Sequence, residues 1–141
     1  MTRPTWDSVW MRVAQMIAER SVDPRLKVGC VIVDPENRGV LGLGYNGDEI
    51  GGANVVASLE PGQSGFVHAE INALIKTRET KGAIMYVTHS PCPVCARAIV
   101  NARIGRVIYG ELYREPRGVE ILKNAGVSCD SLEEATRWLD L

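Results

Sequence analysis

At 141 residues the chain has the length of one domain and is too short for two of ordinary size. Sixteen Lys and Arg against seventeen Asp and Glu give a net charge of −1, which excludes a general polyanion binder but not a pocket that needs one or two cations. Apolar residues at 45% and charged residues at 23% are those of a globular domain, which at this size buries roughly 70% of the surface its unfolded chain exposes.

The opening MTRPTWDSVW has no apolar signal-peptide core, and no stretch reaches the ~20 apolar residues of a membrane span. A cytoplasmic location without membrane contact is therefore expected. Thr5 is placed to cap a first helix, with Trp6, Val9, Trp10, Val13, Ala14 and Ile17 at helical spacing, and Asp23-Pro24 ends it. Val28 to Asp34 is short and β-branched and reads as a buried strand. The turn residues Pro35 to Gly39 lead into a second strand from Val40 to Tyr45, so the pair predicts a hairpin.

Gly47 to Gly65 is irregular and glycine-rich, and a loop of that length in a small domain usually lines a site. Val67 to Arg78 returns to helical spacing with Ile71, Leu74 and Ile75 on the apolar side. Then follow a strand at Ala83 to Thr88, a helix at Val94 to Ala102 and a strand at Arg106 to Tyr109. A helix from Gly118 to Ala125 is closed by Gly126, and Val127 to Cys129 forms a last short strand. Ser131-Leu132-Glu133-Glu134 is a capping box opening a C-terminal helix. A hairpin followed by strand–helix alternation predicts a three-layer α/β/α sandwich around a mixed five-stranded sheet, formed as a single domain over 1–141.

Of the four cysteines, Cys30 and Cys129 lie in apolar runs and read as buried small hydrophobes. Cys92 and Cys95 form Pro91-Cys92-Pro93-Val94-Cys95 at the start of one predicted helix, and His68-Ala69-Glu70 starts another. One imidazole and two thiolates make a three-ligand Zn²⁺ site with a fourth position open, the pattern of a catalytic rather than a structural metal. Glu70, two residues beyond His68, is the candidate proton carrier. A redox Cys-x-x-Cys fits poorly with Pro91, Pro93 and the His-Ala-Glu upstream. A structural zinc would need a fourth ligand, for which His89 is the one remaining histidine, more simply read as packed or hydrogen-bonded beside the site.

His-x-Glu with Pro-Cys-x-x-Cys is a zinc-deaminase signature, and the chain resembles the cytidine deaminase superfamily, most closely its deoxycytidylate (dCMP) deaminase branch. Arg20 to Pro24, Gly44-Tyr45-Asn46-Gly47, His68 to Leu74, Tyr86 to Cys92 and Arg106 to Tyr109 carry the likeness. The resemblance implies hydrolytic deamination of a cytosine nucleotide, dCMP to dUMP, by an oligomeric enzyme. It implies that Asn46 bonds the sugar or base edge, the backbone at Ala69 reads the pyrimidine carbonyl, and the Ser90 carbonyl receives the amine. It also places Tyr113 near the phosphate, for which Arg20, Arg25, Lys27, Arg114 and Arg117 are the candidate cations, Arg25 and Arg114 foremost. Trp6, Trp10 and Trp138 are candidates for a subunit contact, with at least two of them expected in a core.

The family commonly continues the Tyr-Asn-Gly element with Phe-Pro-Arg-Gly and a cysteine- and histidine-bearing insertion. Here the chain reads Asp48-Glu49-Ile50-Gly51-Gly52-Ala53-Asn54, so neither a second zinc nor control by deoxynucleoside triphosphates is carried over. The same chemistry on a nucleoside, a modified pyrimidine, a guanine or pterin, or adenosine or cytosine in nucleic acid is the competing reading. The balanced charge and sparse aromatics argue against nucleic acid. A zinc-containing regulatory module without catalysis is the reading from another class, and the presence of Glu70 argues against it.

Overall fold

A computed structural model describes residues 3–113 and 115–137. Arg114 and Trp138 lie outside the described residues. The elements run α1 (Trp6–Ala18), β1 (Gly29–Val33), β2 (Val40–Tyr45), α2 (Ala69–Lys76), β3 (Ile84–His89), α3 (Pro93–Asn101), β4 (Arg106–Glu111), α4 (Arg117–Asn124), β5 (Ser128–Ser131) and α5 (Leu132–Arg137). The strands form one five-stranded sheet in the order β2-β1-β3-β4-β5. β1 is antiparallel to both β2 and β3, whereas β3, β4 and β5 are parallel, so the sheet is mixed.

Two-residue periodicity sorts the sheet's side chains between two cores. Cys30, Ile32, Met85, Val87, Val107 and Cys129 pack with α2, α3 and α4 on one face. Val31, Val33, Tyr86 and Ile108 pack with Met11 and Ala14 of α1 and Ala135 of α5 on the other. β1 is buried along its whole length because it lies inside the sheet with helices above and below it. The three-layer α/β/α architecture expected from the strand–helix alternation is the one present.

Thr5 caps α1, its hydroxyl accepting the Ser8 N–H at 3.1 Å. The buried face of that helix is Asp7, Met11, Ala14 and Ala18, with Trp10 and Val13 of the predicted stripe packed at its edge and Trp6 turned outward. Asp7 explains the rotation: Tyr86 donates to it at 2.6 Å and Arg106 binds it through both terminal nitrogens at 3.1 and 3.0 Å. A carboxylate with those partners is at home under the helix, which hydropathy spacing does not register. Trp6 is 58% exposed and stacks on Trp10, which is partly buried and packs against the second core. In α2 likewise, Ala69, Glu70 and Ala73 are the buried residues and Ile75 faces out.

Small residues let helices touch the sheet backbone. A Cβ at Gly44 would sit 2.5 Å from Ala73 N and 2.7 Å from Ala69 O, so β2 and α2 meet main chain to main chain. The 48–66 loop leaves and returns at one point, where Gly47 and Val67 exchange backbone hydrogen bonds of 3.1 and 2.9 Å. That bridge delivers the chain to His68 beside the end of β2. No described helix is long and apolar enough to cross a membrane.

Candidate active site

Two helix N-termini carry the chemistry. His68 is the N-cap of α2 and Cys92 the N-cap of α3, where Pro93 occupies a first-turn position suited to its missing N–H. The Cys92 sulfur accepts the Cys95 N–H at 3.5 Å, as a capping oxygen would. Nδ1 of His68 lies 3.2 Å from Cys95 Sγ and 3.5 Å from Cys92 Sγ. The three donor atoms all lie within 4.8 Å of one another. Bond lengths of about 2.05 Å to nitrogen and 2.3 Å to sulfur place tetrahedral ligands roughly 3.6 Å apart around zinc. The donor set and its spacing thus fit Zn²⁺ with one position left over, and no other His, Cys, Asp or Glu among the described residues joins the cluster.

One of the two sulfurs is already disposed to be a thiolate. The Cys92 sulfur is pushed down to about 4 by the hydrogen bond from Cys95, with His68 adding to it. Cys95 is pushed up in turn because it keeps the shared proton, with burial reinforcing the shift. His68 is raised by its contact with the Cys92 sulfur. Glu70, 5% exposed on the first turn of α2, is pushed up to about 7 by burial, against the pull of its own backbone N–H and of His68. A carboxyl balanced between its two forms near neutrality can both take and give a proton.

His89 stands beside the cluster and not in it. Its Nδ1 is 3.0 Å from the Thr88 hydroxyl and its Nε2 3.5 Å from Glu111, and burial lowers its pKa. Cys30 and Cys129 are buried thiols, both raised mainly by burial.

The cluster forms the floor of a cleft of about 700 Å³. Asn46, Ala69, Ser90, Tyr113 and Arg25 all line it, so the structure brings these sequence candidates together. Asn46 is already engaged: its amide donates to Leu26 O at 2.9 Å and Asp23 Oδ2 at 3.3 Å, and its Oδ1 accepts the Val28 N–H at 2.8 Å. The Ser90 hydroxyl accepts the Tyr113 N–H at 2.6 Å, and Arg25 Nη2 donates to the Tyr113 hydroxyl at 2.8 Å. Of the other cations, Arg117 lines the cleft. Arg20 instead stacks over the Tyr45 ring at 5.9 Å, and Lys27 lines a smaller neighbouring cavity.

Arg97 was not singled out by sequence and also lines the cleft. It follows Pro93 by four residues on α3, and helical side chains lean toward the N-terminus, so the i, i+4 relation to a cleft residue was the available signal. Asp48 and Glu49 do not line the cleft. The Asp48 carboxylate accepts the Asn54 N–H at 2.7 Å within its own loop. The first turn of α4 abuts the metal-ligand loop so closely that a Cβ at Gly118 would lie 1.8 Å from Pro91 O.

Comparison with known proteins agrees with this arrangement. The family model "Cytidine and deoxycytidylate deaminase zinc-binding region" matches residues 4–111. ComE operon protein 2 of Bacillus subtilis is 33% identical over 100% of this chain and 78% of its own length. The deoxycytidylate deaminase of Mycobacterium phage D29 is 37% identical over 77% of this chain and 97% of its own. The crystal structure of dCMP deaminase from cyanophage S-TIM5, in complex with dCMP and dUMP, superposes with a TM-score of 0.82 at 31% identity. It covers 93% of this chain and 99% of that one.

Proposed function

Because this chain belongs to the cytidine and deoxycytidylate deaminase family, whose conserved region binds zinc, we propose that it converts dCMP to dUMP and ammonia in the cleft above His68, Cys92 and Cys95. The observation that carries this reading is geometric: His68, Cys92 and Cys95 converge in the cleft, with the buried Glu70 carboxyl on the first turn of the helix that His68 caps. Those three residues would hold zinc, which when bound would supply a water with its pKa lowered to about 7. Glu70 would take a proton from the attacking water and deliver it to N3 of cytosine as oxygen adds at C4. It would then take the remaining proton of the added hydroxyl and give it to the departing amine, so that the C4–N bond breaks, the C4 carbonyl forms and ammonia leaves.

The backbone at Ala69 and the carbonyl of Ser90 hold the base edge in this reading, with Asn46 at the cleft mouth. Arg25 and Tyr113 face the phosphate, with Arg114 the further cation assigned there. Three arginines, Arg25, Arg97 and Arg117, line the cleft against two carboxyl residues, Asp23 and Glu70, and this excess of cations in a chain of net charge −1 supports a 5′-phosphorylated substrate. The relatives named deoxycytidylate deaminase and the neighbour solved with dCMP and dUMP support the same substrate. A homo-oligomer is part of the proposal, with the exposed Trp6 ring offered to the subunit contact.

The test is ammonia release from dCMP, CMP, deoxycytidine, dCTP and free bases by the zinc-loaded protein. Turnover of dCMP with the highest kcat/KM is expected. Inactivity on every cytosine compound would overturn the reaction, and preference for deoxycytidine would overturn the phosphate assignment.

A further inference from the structure

The rim of the cleft is held in an unusual way. Between α1 and β1 the chain runs from 21 to 28 without helix or strand, and this arch carries Arg25. Three polar side chains are buried in the arch and beneath it, Ser21 at 2%, Asp23 at 5% and Asn46 at 8% exposure. Asp23 Oδ1 accepts the backbone N–H groups of Arg25 at 2.8 Å and Leu26 at 3.2 Å. Its Oδ2 accepts an amide proton of Asn46 at 3.3 Å. Asn46 gives its other donor contact to Leu26 O at 2.9 Å and takes the Val28 N–H at 2.8 Å. From the other end, the Ser21 hydroxyl donates to Asn46 O at 2.9 Å and accepts the Asp23 N–H at 3.2 Å.

A buried carboxylate is costly unless every bond it makes is specific, and a loop is more simply anchored by apolar packing. Here Asp23 spends its bonds on the two backbone groups flanking the Arg25 side chain and on the one residue, Asn46, that ties the arch to the end of β2. What the network specifies is the path of the arch, and thereby where Arg25 projects. Arg25 reaches a residue 88 positions away: its Nη2 donates to the Tyr113 hydroxyl at 2.8 Å, while the Tyr113 N–H is held by Ser90. Arch and opposite wall thus meet at a guanidinium and a phenol, both lining the cleft.

We infer that Asp23 is a positioning residue: with Asn46 it clamps the 21–28 arch so that Arg25, braced on Tyr113, is preset to bind the phosphate of a nucleotide. This rests on the cleft being a nucleotide site. Asp23 lines the cleft as Arg25 does, so a ligand without the phosphate is what separates action through Arg25 from a contact of its own. A guanidinium already oriented loses less freedom on binding than a free one, so the clamp acts on affinity for the phosphorylated ligand rather than on the chemical step.

The experiment is calorimetric binding of dUMP and of 2′-deoxyuridine to the zinc-loaded parent and to Asp23→Asn, Arg25→Gln and the double variant. Asp23→Asn keeps an acceptor for the backbone but replaces the oxygen that receives the Asn46 proton with a second donor. It is expected to weaken dUMP binding at least fivefold while changing deoxyuridine binding less than twofold. Added to Arg25→Gln it should cost less than a further twofold, since the residue it positions is gone. Should Asp23→Asn not fold, Ser21→Ala loosens the same arch by removing the bonds to the Asn46 carbonyl and from the Asp23 N–H, and carries the same expectation. The inference is overturned if the clamp variant binds dUMP like the parent, if both ligands weaken alike, if the two effects multiply, or if the parent does not bind dUMP. Absence of ammonia release from dCMP would instead strike the proposed reaction, and the binding cycle would still decide the clamp.

Discussion

At the scale of single residues the site depends on a few atoms whose environments set their roles. In the proposed reaction Glu70 serves as proton carrier because burial pushes its carboxyl up, whereas Asp34, partly buried, is drawn below the ordinary carboxylate range by its bond to Arg38. Glu70→Ala is expected to keep zinc, measured by metal analysis, and to lose about 10³-fold in kcat on dCMP, the scale of a general acid–base group. Retained turnover in a folded, zinc-loaded variant would contradict the assignment. Cys95→Ser replaces a buried soft donor with a hard, weakly acidic hydroxyl. Its zinc content should fall well below one per chain after dialysis against a mild chelator.

The elements act as brackets for those residues. α2 and α3 present His68 and Cys92 from their N-caps, where the helix ends favour negative charge and thus the thiolate form. α4 closes the bracket by pressing Gly118 onto the Pro91 carbonyl, a contact that leaves no room for a side chain. Gly118→Ala must push α4 and the Pro91-Cys92 peptide apart, at about 1–3 kcal/mol for an overpacked contact. Because that peptide carries a metal ligand, chelator competition should show weakened zinc affinity as well as a lower urea midpoint. Gly39→Ala, where a Cβ meets nothing within 4 Å, is the matched control and should leave zinc affinity unaltered.

Across the whole molecule, the layer opposite the site is fastened by Asp7, Tyr86 and Arg106, which join α1 to β3 and β4. Asp7→Ala leaves a buried phenol and a partly exposed guanidinium without their partner and should lower unfolding free energy by about 2 kcal/mol in urea titrations. The same cluster predicts a pH dependence. Burial and then Asp7 raise the Tyr86 pKa far above its usual value, so the folded state resists losing that proton. The unfolded chain loses it near pH 10, so this contribution is complete below about pH 10 and declines as pH rises beyond it. Tyr86→Phe should therefore lose stability less steeply than the parent between pH 9 and 11.

The sequence by itself determined the element order, the mixed sheet under helices and the metal-ligand set. Strand and helix periodicity, caps such as Thr5 and the His-x-Glu and Cys-x-x-Cys spacings are local properties, and local properties are written in neighbouring letters. Ser131 bonding Glu134, both to its N–H and to its carboxylate, illustrates how directly a cap is legible. Only the tertiary structure decided which face of α1 is buried, because Asp7 belongs inside only once Tyr86 and Arg106 arrive from the sheet. It alone showed that Asn46 is bound up with the arch and that Gly118 lies against Pro91. Each of these is a contact between segments tens of residues apart, whose energy exists only after the chain has brought them together, and no spacing along the sequence records it.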